Sequence, residues 1–358
     1  MFGAVSRPAA AILFAILISA CATSAPPPAA SLTPAASPTP SVAGMTLDEE
    51  VGAVMMVGFR GGLTDAVLQD WTRHQYGGLL VVNQNQNATS AADMTTVIAR
   101  IRAVSRRRLI TATDQEGGGV CLAIGTVPCD AMPVGERDTT AMASQLHALG
   151  FDVDLGPVSD VCSGPNSIMW GRCYGTDPAT VAGAVPQVVA GIHAAGMLAT
   201  AKHFPGHGNT SVSSETQLPR IDESLATLRS RDLPPFAAAI AAGADFVMMG
   251  HLFYPAIDSQ RSTDLSPNTF ALLRGELGFK GAIISDDMQM GAITSSTPTP
   301  EAAVEFLIAG GDMVMVAHDT SVADAAFDAI KTAVIAGRLP RSRLDAAVSD
   351  LQKLTAPR

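Results

Sequence analysis

The sequence predicts an α/β protein in which eight parallel strands alternate with helices and close into a single (β/α)8 barrel. From residue 45 onward, short apolar runs rich in β-branched residues alternate with amphipathic helical segments. This alternation is typical of a parallel sheet covered by helices. Eight strand and helix pairs fill about 310 residues, and a barrel of this type usually needs roughly 250 residues or more.

The predicted strands are apolar runs, several of which close with polar residues. They span residues 54–59, 78–83, 109–114, 153–157, 198–204, 246–251, 282–286 and 313–318. An open doubly wound sheet is the alternative, but it would normally carry a G-x-G-x-x-G loop after its first strand. The segment that begins at Gly58 reads GFRGGL and lacks that spacing. The pattern therefore favours the barrel.

The predicted helices between the strands show apolar residues at spacings of three and four. The clearest examples are residues 92–104, 178–194 and 323–336. The second of these follows Thr176 and Asp177 and begins at Pro178, which supplies a polar cap followed by proline in the first turn.

The N-terminal segment predicts export. Residues 1–20 contain a single basic residue, Arg7, followed by an apolar run that is too short for a permanent membrane helix, as in a signal peptide. Small residues precede Cys21, which resembles the bacterial site where cleavage leaves a lipidated cysteine; an ordinary signal with an incidental cysteine is the alternative. Residues 21–44, rich in Ala, Pro, Ser and Thr, are then predicted to tether a barrel domain at 45–358. We expect a protein anchored to the outer face of the cell membrane, or facing the periplasm in a cell with two membranes.

Charge and cysteine content narrow the class of protein further. The net charge is −10 and no long basic run occurs, which argues against a nucleic-acid partner. Oligomeric state cannot be inferred. In an exported protein, the close spacing of Cys121 with Cys129 and of Cys162 with Cys173 is consistent with two disulfides, and four buried thiols are the alternative.

Polar side chains end several of the predicted strands. Strand three ends at Asp114, Gln115 and Glu116, strand five at Lys202 and His203, strand six at His251, and strand seven at Ser285, Asp286 and Asp287. Active sites of such barrels lie at the C-terminal ends of the strands, so these residues should share one rim. Alone, each could simply cap the next helix; together they indicate a site.

A rim of carboxylates with a few cations suits glycoside hydrolysis. That reaction needs one carboxylate at the anomeric carbon and a second group that moves protons. Asp286 fits the first role because it follows an apolar run that would deliver it to the rim. Asp287 should point to the opposite side of the strand and serve a structural role.

Several segments resemble glycoside hydrolase family 3, in its single-domain β-N-acetylglucosaminidase branch. Residues 202–208, KHFPGHG, match a family signature. Other similar segments occur in the family order: GAVMMVGFRG from 52, DQEGG from 114, LGPVSDV from 155, RCYGTDP from 172, ADFVMMGH from 244 and LGFKGAIISDDMQM from 277.

The resemblance implies a retaining β-N-acetylhexosaminidase that acts on an amino-sugar glycoside. Asp286 matches the family nucleophile, which forms a covalent glycosyl-enzyme. The sugar-binding positions of the family match Asp114, Arg172, Lys202 and His203. No cofactor or metal is implied.

The chain departs from the family pattern at two places. Where the branch carries Asp-Ser-His for proton transfer, this chain has Ser213, Ser214 and Glu215. A glutamate can act as general acid or base if its surroundings raise its pKa, so Glu215 is the candidate; a surface glutamate in a weakly active protein is the alternative. Gly119 and Leu122 replace two family arginines, which puts the usual contacts beyond the terminal sugar in doubt.

Other interpretations of single residues remain. His203 and His207 have a zinc-like spacing, but the proline and glycine between them prevent the helix that such a site needs. His251 could be a core or a rim residue, and Trp170 could stack on a sugar or pack within its loop. Two functions besides hydrolysis stay open, a related phosphorylase or β-glucosidase and a wall-binding lipoprotein that is catalytically weak.

Overall fold

Parallel strands form a closed barrel in the part of the chain that a computed structural model describes, namely residues 44–122 and 136–355 with positions 1, 3, 42, 124 and 127. The strand order is sequential, and β8 pairs with β1. In that part the eight strands are β1 Met55–Val57, β2 Gly78–Leu80, β3 Ile110–Thr113, β4 Val153–Asp154, β5 Leu198–Phe204, β6 Phe246–Met249, β7 Ala282–Asp287 and β8 Met313–Val316. The predicted (β/α)8 fold is confirmed.

The barrel lies in the compact unit Pro40–Arg358. The other unit, Met1–Thr39, falls outside the described residues except for positions 1 and 3. The predicted signal peptide, Cys21 and most of the tether therefore also lie outside them. No helix in the described ranges has both the length and the apolar character that crossing a membrane requires.

Helices surround the barrel. They are α1 Leu47–Ala53, α2 Asp65–His74, α3 Ala91–Val104, α4 Glu136–Leu149, α5 Pro178–Ala194, α6 Leu225–Arg231, α7 Leu233–Ala241, α8 Pro267–Ala271, α9 Gly291–Thr294, α10 Thr299–Ala309, α11 Thr320–Ile335 and α12 Arg341–Thr355. Short 3₁₀ turns occur at Asn83–Asn85 and Thr263–Leu265, and a π-turn at Leu272–Glu276 extends α8. The side chain of Asp177 caps α5 through the N–H of Thr180, as the sequence predicts.

The strands end earlier than the apolar runs do. Asp114 lies one residue beyond β3, and His251 and His318 lie two residues beyond β6 and β8. These residues have left the hydrogen-bonded ladder and entered the loops of the rim. The polar ends of the predicted strands are therefore loop residues at the barrel mouth, whereas Lys202, His203 and Asp286 remain within strands.

Methionines fill much of the barrel wall. Met55, Met56, Met248, Met249 and Met313 are at most 1% exposed. The flexible, unbranched side chain of methionine suits irregular gaps between the strands and helices. These methionines are therefore packing residues of the barrel.

Aspartates tie neighbouring strands together at the N-terminal end of the barrel. One aspartate precedes each of β4, β6 and β8, and each follows a glycine by two residues. Their carboxylates accept from backbone N–H groups of the preceding strand at 2.8–3.0 Å: Asp152 from Thr111, Asp245 from Ala199 and Asp312 from Ile283. Each also meets a basic side chain at 2.7–2.9 Å, respectively Arg102, His193 and Arg274. This face supports the fold, and the opposite face carries the chemistry.

Candidate active site

Lys202 is a buried cation at the floor of the C-terminal rim. Its Nζ lies 2.5 Å from Asp114 Oδ1 and 2.6 Å from Glu116 Oε1. Burial alone would lower the pKa of Lys202, but the two carboxylates raise it above its ordinary value. The side chain therefore stays charged, and it orients Asp114, which is partly exposed toward the rim.

Arg172 is held by Glu116 in a two-pronged ion pair. Its Nε and Nη2 each lie 2.7 Å from a carboxylate oxygen of Glu116. Burial would raise the pKa of Glu116, but Lys202 and Arg172 lower it. Glu116 is among the predicted rim residues, but its role in linking two cations could not be predicted from the sequence. It joins two predicted sugar-binding cations into one rigid unit.

Asp160 fixes the orientation of two histidines. Its Oδ2 lies 2.8 Å from His203 Nδ1, and its Oδ1 accepts from the backbone N–H of His207 at 2.6 Å. Burial would raise the pKa of this carboxyl group, yet the neighbouring His203 lowers it. Asp160 was not among the predicted site residues. A single aspartate in a loop does not indicate in the sequence which histidines it will contact.

Asp286 lies near the end of β7 with its side chain half-buried. Its Oδ1 accepts from the backbone N–H of Asp287 at 2.9 Å. Burial would raise the pKa of Asp286, but the neighbouring His203 and His251 lower it. A carboxylate that stays ionised next to the predicted sugar-binding groups is suited to attack an anomeric carbon.

Asp287 has a different set of contacts. Its Oδ1 accepts from the N–H groups of Ala317 and Gln289 at 2.9 and 3.1 Å. Burial raises its pKa to about 6. These contacts join the end of β7 to the loop after β8, in keeping with the structural role that the sequence predicts.

His251 is a buried cation next to Asp286. Its Nδ1 lies 3.1 Å from a carboxylate oxygen of Asp264, and its Nε2 lies 2.9 Å from the carbonyl oxygen of Asp287. Both partners are acceptors, so both ring nitrogens must donate and the ring carries a positive charge. Burial would lower its pKa, but Asp264 raises it to about 9. His251 is thus both a core residue and a rim residue. Its side chain is fully buried, and its charge acts on Asp286 at the rim.

Glu215 lies on an exposed turn between β5 and α6. Partial burial of its carboxyl group and then the negative charge of Asp286 raise its pKa, whereas Arg172 opposes this rise. The carboxyl group of Glu215 thus interacts electrostatically with Asp286, Arg172 and Asp114. Its role in proton transfer stays a prediction.

A disulfide closes the loop that carries Arg172 and Trp170. Cys162 and Cys173 are bonded, with their Cα atoms 6.1 Å apart. Trp170 is 52% exposed, and both interpretations, stacking on a sugar and packing within the loop, stay open. Cys129 lies outside the described residues, and the pairing of Cys121 with Cys129 stays a prediction.

Gly119 and Leu122, which replace the two family arginines, provide no cation that could contact a substrate beyond its terminal sugar. Gly119 is exposed, and Leu122 is buried with its backbone N–H donating to Gln115 Oε1 at 2.7 Å. The predicted difference in contacts beyond the terminal sugar therefore stays open.

Two groups of side chains have a spacing like that of metal ligands. His203 Nδ1 pairs with Asp160, and His207 Nε2 lies 3.0 Å from Ser214 Oγ, so each ring has a protein partner. Asp70, His74 and Asp324 also lie close together on the outside of the barrel. There the Tyr76 hydroxyl lies 3.0 Å from His74 Nδ1 and donates to Asp324 at 2.7 Å. This network accounts for the cluster without an ion.

The family follows from comparison with known proteins. Residues 46–354 match the family described as Glycosyl hydrolase family 3 N terminal domain. The chain belongs to glycosyl hydrolase family 3. It is a glycoside hydrolase, and its barrel with carboxylates at the rim accords with that class.

Individual family 3 relatives are similar over most of the chain. The β-hexosaminidase of Stenotrophomonas maltophilia is 36% identical over 313 residues, which cover 81% of this chain and 92% of the relative. A solved family 3 β-N-acetylglucosaminidase from a Paenibacillus species is 32% identical with a TM-score of 0.82; the match covers 87% of this chain but only 62% of that protein. The β-N-acetylhexosaminidase of Beutenbergia cavernae is 27% identical with a TM-score of 0.78, over 86% of this chain and 98% of that one.

Proposed function

We propose that this glycoside hydrolase is a retaining exo-β-N-acetylhexosaminidase that removes terminal β-linked N-acetylglucosamine. The observation that carries the proposal is the ionised Asp286 at the end of β7, beside charged groups suited to a sugar. The names of its relatives support the amino-sugar class, since those proteins are β-hexosaminidases and a β-N-acetylglucosaminidase.

The proposed reaction has two steps. Asp286 attacks the anomeric carbon while the protonated Glu215 gives its proton to the departing oxygen, which leaves a glycosyl ester on Asp286. Glu215, now ionised, takes a proton from water as that water attacks the same carbon and releases Asp286. Two inversions give net retention of configuration.

The sugar-binding residues have separate tasks in this proposal. The carboxylate of Asp114 accepts from sugar hydroxyls, and Lys202 and Arg172 donate to sugar oxygens. Their mutual ion pairs through Glu116 keep them in place before substrate arrives. Such preorganisation lowers the entropy cost of reaching the geometry for attack.

The proposed setting is the cell surface. The signal-like residues 1–20, the lipidation candidate Cys21 and the tether at 21–44 support export and lipid anchoring. A β-N-acetylglucosaminidase at that location would meet fragments of peptidoglycan, which contain N-acetylglucosamine. We therefore propose wall-derived fragments as the natural substrate.

The direct test is release of a chromogenic phenol from an aryl β-N-acetylglucosaminide by wild type, Asp286→Asn and Glu215→Gln. We expect turnover by wild type, none by Asp286→Asn, and a loss of roughly 10²-fold or more in Glu215→Gln, the usual size of a general acid-base contribution. Azide should restore part of the Glu215→Gln rate because it needs no general base. Melting curves check that each variant is folded.

Several outcomes would contradict the proposal. Retained turnover in folded Asp286→Asn would remove the nucleophile assignment. Preference for an aryl β-glucoside would change the substrate class, and a sugar phosphate formed in phosphate buffer would identify a phosphorylase. Failure of all these substrates would favour a wall-binding lipoprotein.

A further inference from the structure

We propose that Gly291 is a positioning residue that holds the Glu215 turn against the Asp286 strand. This inference rests on the proposed role of Glu215. Gly291 begins α9, four residues after β7 ends at Asp287. The segment that carries the nucleophile therefore continues directly into the segment that meets the acid-base turn.

Two backbone hydrogen bonds join these segments. The N–H of Gly291 donates to the carbonyl oxygen of Glu215 at 2.9 Å, and the N–H of Ala292 donates to that of Ser214 at 3.0 Å. The first N–H groups of a helix have no partner within the helix. In α9, the carbonyl groups of the turn supply those partners.

The approach is too close for any side chain at position 291. A Cβ atom there would lie 2.5 Å from the carbonyl oxygen of Thr216 and 2.8 Å from its Cα. Both are backbone atoms, so no rotamer change could relieve the clash. A methyl group at 291 must push the turn away from the end of β7.

Two further contacts define the position of the turn. The Ser213 hydroxyl oxygen accepts a hydrogen bond from the backbone N–H of Glu215 at 3.3 Å. The Ser214 hydroxyl is buried and lies 3.0 Å from His207 Nε2. Because His207 is held through its N–H by Asp160, the carboxylate that orients His203 also orients the turn indirectly. Ser213 and Ser214 thus help to position the backbone that carries Glu215.

The test is Gly291→Ala, with Ser214→Ala as a second variant, assayed on two aryl β-N-acetylglucosaminides. A substituted phenol of high pKa needs a proton to leave, whereas 2,4-dinitrophenol does not. We expect Gly291→Ala to reduce kcat/KM at least about tenfold for the first substrate and much less for the second, as misplacement of a general acid would. Ser214→Ala should show the same selectivity with a smaller loss.

The matched control is Gly183→Ala. Gly183 lies within α5, and a Cβ there would meet no atom within 4 Å. This variant should hydrolyse both substrates like wild type. Gly291→Ala itself should fold, because φ at position 291 is not in the left-handed region and alanine favours helix.

Glu215→Gln separates failure of this inference from failure of the proposed function. If Glu215→Gln shows no selectivity between the two substrates, the acid assignment is wrong and the inference falls with it. If Glu215→Gln is selective while folded Gly291→Ala and Ser214→Ala match wild type, only the positioning role is wrong. An equal loss on both substrates in these two variants also overturns the positioning role, since general damage to the site would cause it.

Discussion

At the scale of single residues, the two carboxyl groups of the proposed mechanism have pKa values displaced in opposite directions. The pKa of Asp286 is lowered, and that of Glu215 is raised by partial burial and the charge of Asp286. Between the two values Asp286 is ionised and Glu215 is protonated, as the first step requires. Environments that separate the pKa values of neighbouring groups in this way are typical of acid and nucleophile pairs.

We therefore predict a bell-shaped dependence of kcat/KM on pH. The rate should fall at low pH as Asp286 gains a proton, and at high pH as Glu215 loses one. Glu215→Gln should remove the high-pH limb, because glutamine does not titrate. The measurement is a pH series of kcat/KM for both proteins, and a high-pH limb that persists in Glu215→Gln would assign that limb to another group.

Asp264→Asn tests the low-pH limb. Asp264 is the main group that keeps the buried His251 charged, and the His251 charge helps to lower the pKa of Asp286. Loss of the carboxylate should lower the pKa of His251, raise that of Asp286 and move the low-pH limb to higher pH. An unchanged limb in folded Asp264→Asn would show that His251 does not set the charge of Asp286.

The sequence located individual site residues better than the links between them. Asp286, Lys202 and Asp114 could be predicted because each ends an apolar run and matches a family segment. Glu116 was predicted only as a rim residue without a role, and Asp160 was not predicted at all, since their roles depend on partners 56 and 43 residues away. The spacing of residues along the sequence does not show which distant residues lie close together in the fold.

At the scale of secondary structure, periodicity and apolar runs were sufficient to predict eight strands and their closure. The residues at which the strands end could not be predicted. An apolar run continues past the last hydrogen-bonded residue of its strand, and only the open barrel mouth determines where the hydrogen bonds stop. The three aspartates at the opposite end were also missed. A glycine two residues before an aspartate reads as an ordinary turn until the neighbouring strand is known.

One of these aspartates gives a prediction for stability. Asp245 accepts from the backbone N–H of Ala199 and pairs with His193. Asp245→Ala would leave that buried N–H without its acceptor, and a loss of about 2 kcal/mol in the free energy of unfolding is expected. Denaturant unfolding measures this loss, and kcat/KM should not change because the residue lies at the far end of the barrel from Asp286.

Glu276→Ala is the matched control for this change. Glu276 forms an exposed ion pair with Arg229, and such pairs contribute little to stability in water. Its denaturation curve should overlay that of wild type. Equal behaviour of the two variants would mean that the strand ties do not stabilise the barrel.

At the scale of the whole molecule, the residues proposed for catalysis and those proposed for location lie in separate parts of the sequence. Every residue of the proposed mechanism lies within 46–354, the range that matches family 3. The groups proposed for export and anchoring all precede residue 45. A change that removes the anchor should therefore leave turnover intact.

Cys21→Ala tests this separation. Each buried methylene of an attached acyl chain contributes about 0.8 kcal/mol to membrane binding, so loss of the attachment site should release the protein. We expect wild type in the membrane pellet, labelled by a fatty-acid analogue, and Cys21→Ala unlabelled in the soluble fraction with the same kcat/KM on the aryl substrate. Ser24→Ala, in the tether, should behave like wild type. Unlabelled wild type would reduce Cys21 to an incidental cysteine after an ordinary signal, and reduced turnover of soluble Cys21→Ala would show that the anchored segment contributes to catalysis.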